Sequence, residues 1–251
     1  MWRAVYDDPH KMKAVFASLA KILKDNAMIE VSGRGITIKG IDESRVAYAH
    51  VFFPADVFNV YLGETEIRAG INPILLKKII KNAGKREDIE LRIINDTLEI
   101  VIYNPSMARK FEIKLFEVVE DLKIKEIENW AVIDFAPGGF LAEVIKGALS
   151  LRFEDLKIVA KAEGRLIFLS ETETGDKFEQ DINLNECEYV LSYKVIRDSE
   201  AEYNLDYLAR IIDVAKVASE GRIEFSTKMP LILSFNISGI RFDYILAPRV
   251  L

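Results

Sequence analysis

Cysteine occurs once, at Cys187, and histidine twice, at His10 and His50, in a chain of 251 residues. A single thiol excludes an internal disulfide and a thiolate metal cluster, and it fits a reducing compartment. Two histidines remove most histidine-based metal and acid–base chemistry, and the sequence implies no cofactor. Glutamine also occurs once, at Gln180; with abundant Lys, Glu and Ile, this scarcity of thermolabile side chains points to a thermophilic source. No apolar run approaches the ~20 residues that a spanning helix needs. The first ten residues, MWRAVYDDPH, carry acids where a signal peptide needs a basic and then an apolar stretch. The expectation is a soluble intracellular protein without a membrane partner.

What is present describes an ordinary folding chain. Hydrophobic residues make up 50% and charged residues 29%, enough to bury a core, in a length that suits one large domain or two of ordinary size. There are 34 Lys and Arg against 40 Asp and Glu, a net charge of −6. That balance argues against a protein gripping nucleic acid over a wide basic face, although a mean can conceal a local pattern.

The chain contains an internal two-fold repeat. Asn72-Pro73-Ile74-Leu75-Leu76-Lys77-Lys78-Ile79-Ile80 and Asn204-Leu205-Asp206-Tyr207-Leu208-Ala209-Arg210-Ile211-Ile212 share a leading Asn and the apolar spacing after it, about half the chain apart. Each leads into paired strand-like runs, 89–94 with 98–103 and 222–226 with 231–237. Upstream, 15–23 and 140–148 are helix-like. Each precedes a strand, a turn (Gly33-Arg34-Gly35 or Glu163-Gly164-Arg165) and another strand. Phe111, Ile113 and Leu115 alternate with Lys110, Glu112 and Lys114, and Phe178, Gln180 and Ile182 alternate with Lys177, Glu179 and Asp181. Such alternation leaves one sheet face wet and favours antiparallel pairing, with helices on the other side. Between the halves, 118–129 is acidic, lacks glycine and sustained helical periodicity, and reads as an extended linker. The expected class is α+β: a domain at 1–117, a connecting loop at 118–130 and a similar domain at 131–251.

Charge is unevenly placed. On a wheel of 100° per residue, Leu75, Leu76, Ile79, Ile80 and Ala83 fall within about 140°, with Lys77, Lys78, Lys81 and Lys85 opposite. The first helix repeats this: Met12, Val15, Phe16, Leu19, Ile22 and Leu23 form one face, with His10, Lys13, Lys21 and Lys24 on the far side. No Asp or Glu occurs in 9–24 or in 72–86, which together hold nine of the 34 basic residues. A structural helix face usually mixes signs, because Glu–Lys pairs four apart stabilise it. Forgoing them suits attraction to a polyanion, where each neutralised phosphate releases counterions. In the second half Lys146 has Glu143 nearby and Arg210 has Asp206 and Asp213, so polyanion contact there should be weaker.

Catalytic constellations are not evident, which leads to the expectation of a non-enzyme. No GxxxxGK[ST] loop occurs, and Gly33-Arg34-Gly35 reads as a hairpin turn, not a dinucleotide site. His10 and His50 have no catalytic motif around them, and Cys187 sits among acids that disfavour a thiolate. Glu171, Glu173 and Asp176 crowd one acidic loop and read as a solvated face. Two alternatives stay open: a metal-dependent nucleic-acid hydrolase using those carboxylates, and a non-ring acidic scaffold whose basic helices bind an acidic protein.

Gly40-Ile41-Asp42-Glu43-Ser44-Arg45-Val46-Ala47, Phe53-Pro54, the Leu75–Ile80 helix, Met229-Pro230-Leu231 and Tyr244-Ile245-Leu246-Ala247-Pro248-Arg249-Val250 closely resemble the sliding clamps of the proliferating cell nuclear antigen family, archaeal ones above all. The likeness runs in order along the whole chain. It implies two similar domains with antiparallel sheets outside and two helices inside. Three chains, identical or related, would close into a ring around duplex DNA in an archaeal cytoplasm, or a nucleus if the source is eukaryotic. It places Lys13, Lys21, Lys77, Lys78, Lys81, Lys146 and Arg210 towards DNA. Asp213 departs from the family, sitting where an inner basic residue is common and leaving room for a non-identical partner.

The resemblance also implies clients that dock a short peptide helix: DNA polymerase, clamp loader, flap endonuclease and ligase. Their pocket would use Ile41, Arg45, Val46, Tyr48, Leu122, Ile124, Ile127, Pro230, Ala247, Pro248 and Arg249. Tyr48 replaces a more usual aliphatic residue and would narrow the groove. Subunits would join edge to edge through Ala108, Arg109, Lys110, Phe111, Ile113 and Leu115 on one chain and Lys177, Phe178, Gln180 and Ile182 on the next, hiding two strand edges. The implied role in replication and repair is tethering, not chemistry.

Overall fold

The computed structural model describes residues 2–63, 66–117 and 127–249. The chain divides into two compact units, Met1–Lys123 with Ser238–Phe242, and Ile124–Ile237 with Asp243–Leu251. Among the described residues no helix is long and apolar enough to cross a membrane.

The first unit runs β1 (Trp2–Tyr6), α1 (Pro9–Leu23), β2 (Ala27–Ser32), β3 (Gly35–Ile41), β4 (Ala47–Pro54), β5 (Val60–Leu62), β6 (Ile67–Ile71), α2 (Pro73–Ile80), β7 (Asp88–Ile94), β8 (Thr97–Asn104) and β9 (Met107–Lys114). The second runs β10 (Ala131–Phe135), α3 (Gly139–Leu149), β11 (Asp155–Lys161), β12 (Arg165–Glu171), β13 (Lys177–Asn183), β14 (Val190–Val195), β15 (Ser199–Asn204), α4 (Leu205–Ala209), α5 (Ile212–Val217), β16 (Glu220–Phe225) and β17 (Leu231–Ile237), and the last strand, β18 (Ile240–Leu246), is counted with the first unit up to Phe242 and with the second from Asp243. Pairing repeats with the order. Strands β5-β1-β7-β8-β9 and β4-β3-β2-β6 pair antiparallel in the first unit, as β14-β10-β16-β17 and β13-β12-β11-β15 do in the second. The sequence repeat is therefore a repeat of fold.

Local chemistry accounts for the elements. Asp8 caps α1 by accepting from the Lys11 N–H at 3.3 Å, and Pro9 follows, where a missing N–H costs nothing. Met12, Val15, Phe16, Leu19, Ile22 and Leu23 are all buried, as the helical spacing predicts. The shared Asn of the repeat is the helix cap in both units: Asn72 accepts from the Leu75 N–H at 3.0 Å and Asn204 from the Tyr207 N–H at 3.2 Å. Gly33 and Arg34 form the turn between β2 and β3, where Gly35 at φ 146° lets the backbone pass close to the Phe53 carbonyl. In β9 and β13, Lys110, Glu112, Lys114, Lys177, Glu179 and Asp181 are exposed while Ile113 and Ile182 are buried, which matches the predicted alternation.

Two elements differ from expectation. Helix α2 stops at Ile80, because Asn82 and Ala83 donate to the carbonyls three residues back and the Asn82 side chain caps Lys78 O at 2.8 Å. Lys85 therefore lies off the helix, and Leu75, expected on the apolar face, is 41% exposed at its margin. The repeat segment 204–212, the counterpart of α2, does not run as one helix into the residues after it but is broken into α4 and α5. Arg210 and Ile211 donate to Tyr207 O and Leu208 O, each three residues back, which tightens the turn and shifts the phase of the helical wheel.

Candidate nucleic-acid interface

Helix α1 packs beside α2, so the two acid-free segments of the sequence are neighbours. Their cations do different things. Lys13 donates through Nζ to Ala83 O in the turn after α2, a carbonyl left open by the end of the helix. Lys24 pairs with Glu43 at 2.9 Å. Lys21, Lys78 and Lys81 are exposed and Lys77 is half-buried. Among the described residues, none of Lys77, Lys78 and Lys81 is paired with a carboxylate.

In the second unit α3 packs against α4 and α5. Lys146 donates to Glu143 one turn earlier on α3, and the Arg210 guanidinium lies 3.6 Å from the Tyr207 ring centre, a cation–π contact. Asp213 is half-buried on α5. Lys216, exposed in the last turn of α5, is a cation that sequence pattern does not single out. Its face depends on where the helix restarts after the break at Arg210, a point that hydropathy and charge along the sequence do not mark. Among the described residues, the helices of the second unit thus present fewer unpaired cations than α2 and its C-cap do.

Strands β9 and β13 each pair on one side only, with β8 and β12, within their own units. Ala108 and Lys110 are exposed on β9, Arg109 and Phe111 are half-buried and Ile113 is buried; Leu115, just past the strand, is half-buried. On β13, Lys177 is exposed, Phe178 and Gln180 are half-buried and Ile182 is buried. Lys110 bonds Glu99 and also Glu112 at 3.0 Å, and Lys177 bonds Glu179 at 2.5 Å, so both edges carry internally balanced charge. Behind β9 an ion-pair ladder crosses the sheet: Arg3 and Arg92 both bond Glu90, and Arg92 bonds Glu99 at 3.1 Å. Burial opposes ionisation of Glu90, but these two guanidinium groups outweigh it and hold its carboxyl below the usual range.

The expected client-pocket residues of the first unit come together at one end of the β3–β4 hairpin. Ile41 and Tyr48 are cross-strand partners, both half-buried, and the turn between them carries Arg45, at φ 56°, and Val46. Asp42, to which sequence pattern assigns no role, builds this turn. Its Oδ1 accepts from the N–H groups of Val46 and Ala47, both at 2.8 Å, and the residue is 6% exposed. In the second unit Pro230, Ala247 and Pro248 are half-buried and Arg249 is exposed. Arg249 Nη1 meets both Asp155 oxygens, at 2.6 and 2.5 Å, and its N–H donates to Glu202 O on β15. Ile127 is half-buried, and Leu122 and Ile124 lie outside the described residues.

Glu171, Glu173 and Asp176 sit at and after the end of β12, with Asp176 engaged by Thr174 at 3.3 Å. Among the described residues no three His, Cys, Asp or Glu side chains converge to hold a metal ion. His10 is exposed, His50 is half-buried on β4, and Cys187 is a half-buried free thiol.

Comparison with known proteins fits this arrangement. The family model described as "Proliferating cell nuclear antigen, N-terminal domain" matches residues 1–128. A protein of Thermococcus onnurineus named DNA polymerase sliding clamp is 30% identical over 249 residues, covering 98% of this chain and 97% of its own. One of the same name from Cenarchaeum symbiosum is 28% identical over 243 residues, covering 95% and 94%. The crystal structure of a PCNA2–PCNA3 complex from Sulfolobus tokodaii superposes with a TM-score of 0.89 at 20% identity, over 98% of this chain and 99% of that one. That last likeness concerns the fold.

Proposed function

The chain belongs to the proliferating cell nuclear antigen family and is a DNA polymerase sliding clamp, and from that premise we propose that it encircles duplex DNA and tethers enzymes to it without performing chemistry itself. The observation that carries this reading is the set Lys77 and Lys78 on α2 and Lys81 at its C-cap, none paired with a carboxylate among the described residues, beside a second helix from an acid-free segment in an otherwise acidic chain. Strong phosphate contact would stall sliding, so a weakly basic lining inside an acidic body suits a ring held on by topology.

Closure would join β9 of one chain to β13 of the next, three chains in all. The half-buried Phe111 and Phe178 support this, since they would become covered as the edges pair. The clients are DNA polymerase, clamp loader, flap endonuclease and ligase, each docking a short helix against the β3–β4 turn that carries Arg45 and Val46. Whether the other two chains are copies or relatives is decided by solution mass, alone and with paralogues; a complex of two such chains in Sulfolobus tokodaii is the reason to include the mixed case. The test of the whole reading is retention on circular duplex DNA that disappears when the circle is linearised. Equal retention on both forms would refute encirclement and favour an ordinary DNA-binding surface, and metal-dependent degradation of the circle would favour the hydrolase.

A further inference from the structure

Lys85 and Arg86 lie beyond helix α2, on the loop that enters β7, and both are exposed. That loop is fastened in a way a mere solvent loop does not require. Ala83 is 3% exposed, and its carbonyl accepts from Lys13 Nζ. Asn82 O accepts from Arg109 Nη1 at 3.1 Å. The Glu87 carboxylate, on a residue 6% exposed, folds back over the loop: its Oε2 accepts from the Gly84 N–H at 2.6 Å and from Arg109 Nη2. One guanidinium from β9 thus clasps the loop at both ends, and one buried anion closes it. The Gly84 N–H, with Arg109 and Lys13, holds the Glu87 carboxyl ionised below its usual range.

The two cations directed outward have no such partner. Among the described residues neither Lys85 nor Arg86 pairs with a carboxylate, although Glu87 and Asp88 follow them in sequence. They extend the run of unpaired cations from Lys77, Lys78 and Lys81. We infer that Lys85 and Arg86 form a further phosphate-contacting site for duplex DNA, and that Glu87 is its positioning residue. This rests on the clamp reading above.

The experiment measures binding of a short linear duplex by the full-length assembled protein at several salt concentrations, beside retention on circular DNA. Lys85→Ala with Arg86→Ala should lower the slope of log affinity against log salt by about 1 to 2, at roughly 0.9 for each phosphate no longer neutralised. An unchanged slope would overturn the site. Glu87→Gln removes a negative charge, so charge counting alone makes binding tighter, whereas loss of positioning makes it several-fold weaker with a smaller slope. Unchanged or tighter binding would overturn the positioning role. Gly84→Ala serves as a second variant with every charge kept, since a Cβ there would stand 3.2 Å from Glu87 Oε2. It should weaken binding in the same direction, and wild-type behaviour would count against the clasp. Failure of the clamp reading itself shows separately, as absence of retention on the circle by the wild-type chain.

Discussion

The ring of Phe116 fills the space that a side chain on Gly70 would need: a Cβ at Gly70 would overlap the ring carbons. The backbones are joined as well, the Gly70 N–H donating to Phe116 O at 2.6 Å and the Phe116 N–H to Gly70 O at 3.1 Å. Strand β6 would otherwise present an open edge; the chain leaving β9 covers it here. The second unit repeats the device, with the Arg249 N–H donating to Glu202 O on β15 at 2.7 Å. Both units thus use the segment after their last strand to finish an earlier sheet.

Gly70→Ala should therefore displace Phe116 and destabilise the chain by about 1–3 kcal/mol, the usual range for overpacking. The companion variant Phe116→Ala makes room, so Gly70→Ala should be nearly neutral in that background. A double-mutant cycle by chemical denaturation checks this, and additive losses would refute the contact.

Asp42 holds the β3–β4 turn through two N–H groups, and Asp42→Ala would leave both without their acceptor. The expected loss is about 1–3 kcal/mol of stability. Because the same turn carries Arg45 and Val46, affinity for a client peptide in calorimetry should fall more than that of a variant equally destabilised elsewhere. Equal falls would reduce Asp42 to a purely structural role.

The repeat, the strand alternation in β9 and β13 and the apolar stripe of α1 were legible because each depends on side-chain periodicity, which sequence displays directly. The capping Asn72 and Asn204 were visible as a repeated letter before their hydrogen bonds gave the reason. What sequence concealed depends on partners distant along the chain. Lys13 looks like any exposed lysine until Ala83 O is seen beside it, and Glu87 looks like a surface acid until Arg109 and Gly84 enclose it. The end of α2 and the break at Arg210 were hidden because three-residue hydrogen bonding interrupts neither hydropathy nor charge. Lys216 was hidden with that break, since its face depends on where the helix restarts.

Lys77, Lys78 and Lys81, changed together to Ala, should lower clamp-dependent DNA synthesis on primed templates while assembly is kept. They are solvent-facing or half-buried and pair with no carboxylate among the described residues, so their removal leaves no buried charge behind there. Synthesis assays with parallel solution-mass measurement check both halves. Unchanged synthesis would count against a basic lining, and disappearance of the assembled mass would show that these lysines serve association instead.

Glu90 gives a pH prediction whose sign follows from its neighbours. Burial raises its carboxyl and the Arg3 and Arg92 guanidinium groups lower it further, so the folded value lies below the unfolded one. In the window between the two, the unfolded chain binds more protons, so stability rises with pH. The contribution is fully present above the ordinary glutamate value, about 4.3, and is lost as pH falls through the folded value. Arg3→Leu removes one of the two cations. It should lower stability at neutral pH and flatten the fall of the denaturant midpoint as pH drops below about 5. A variant whose midpoint falls equally at every pH would mean that Arg3 acts by packing alone and that Arg92 suffices to keep Glu90 ionised.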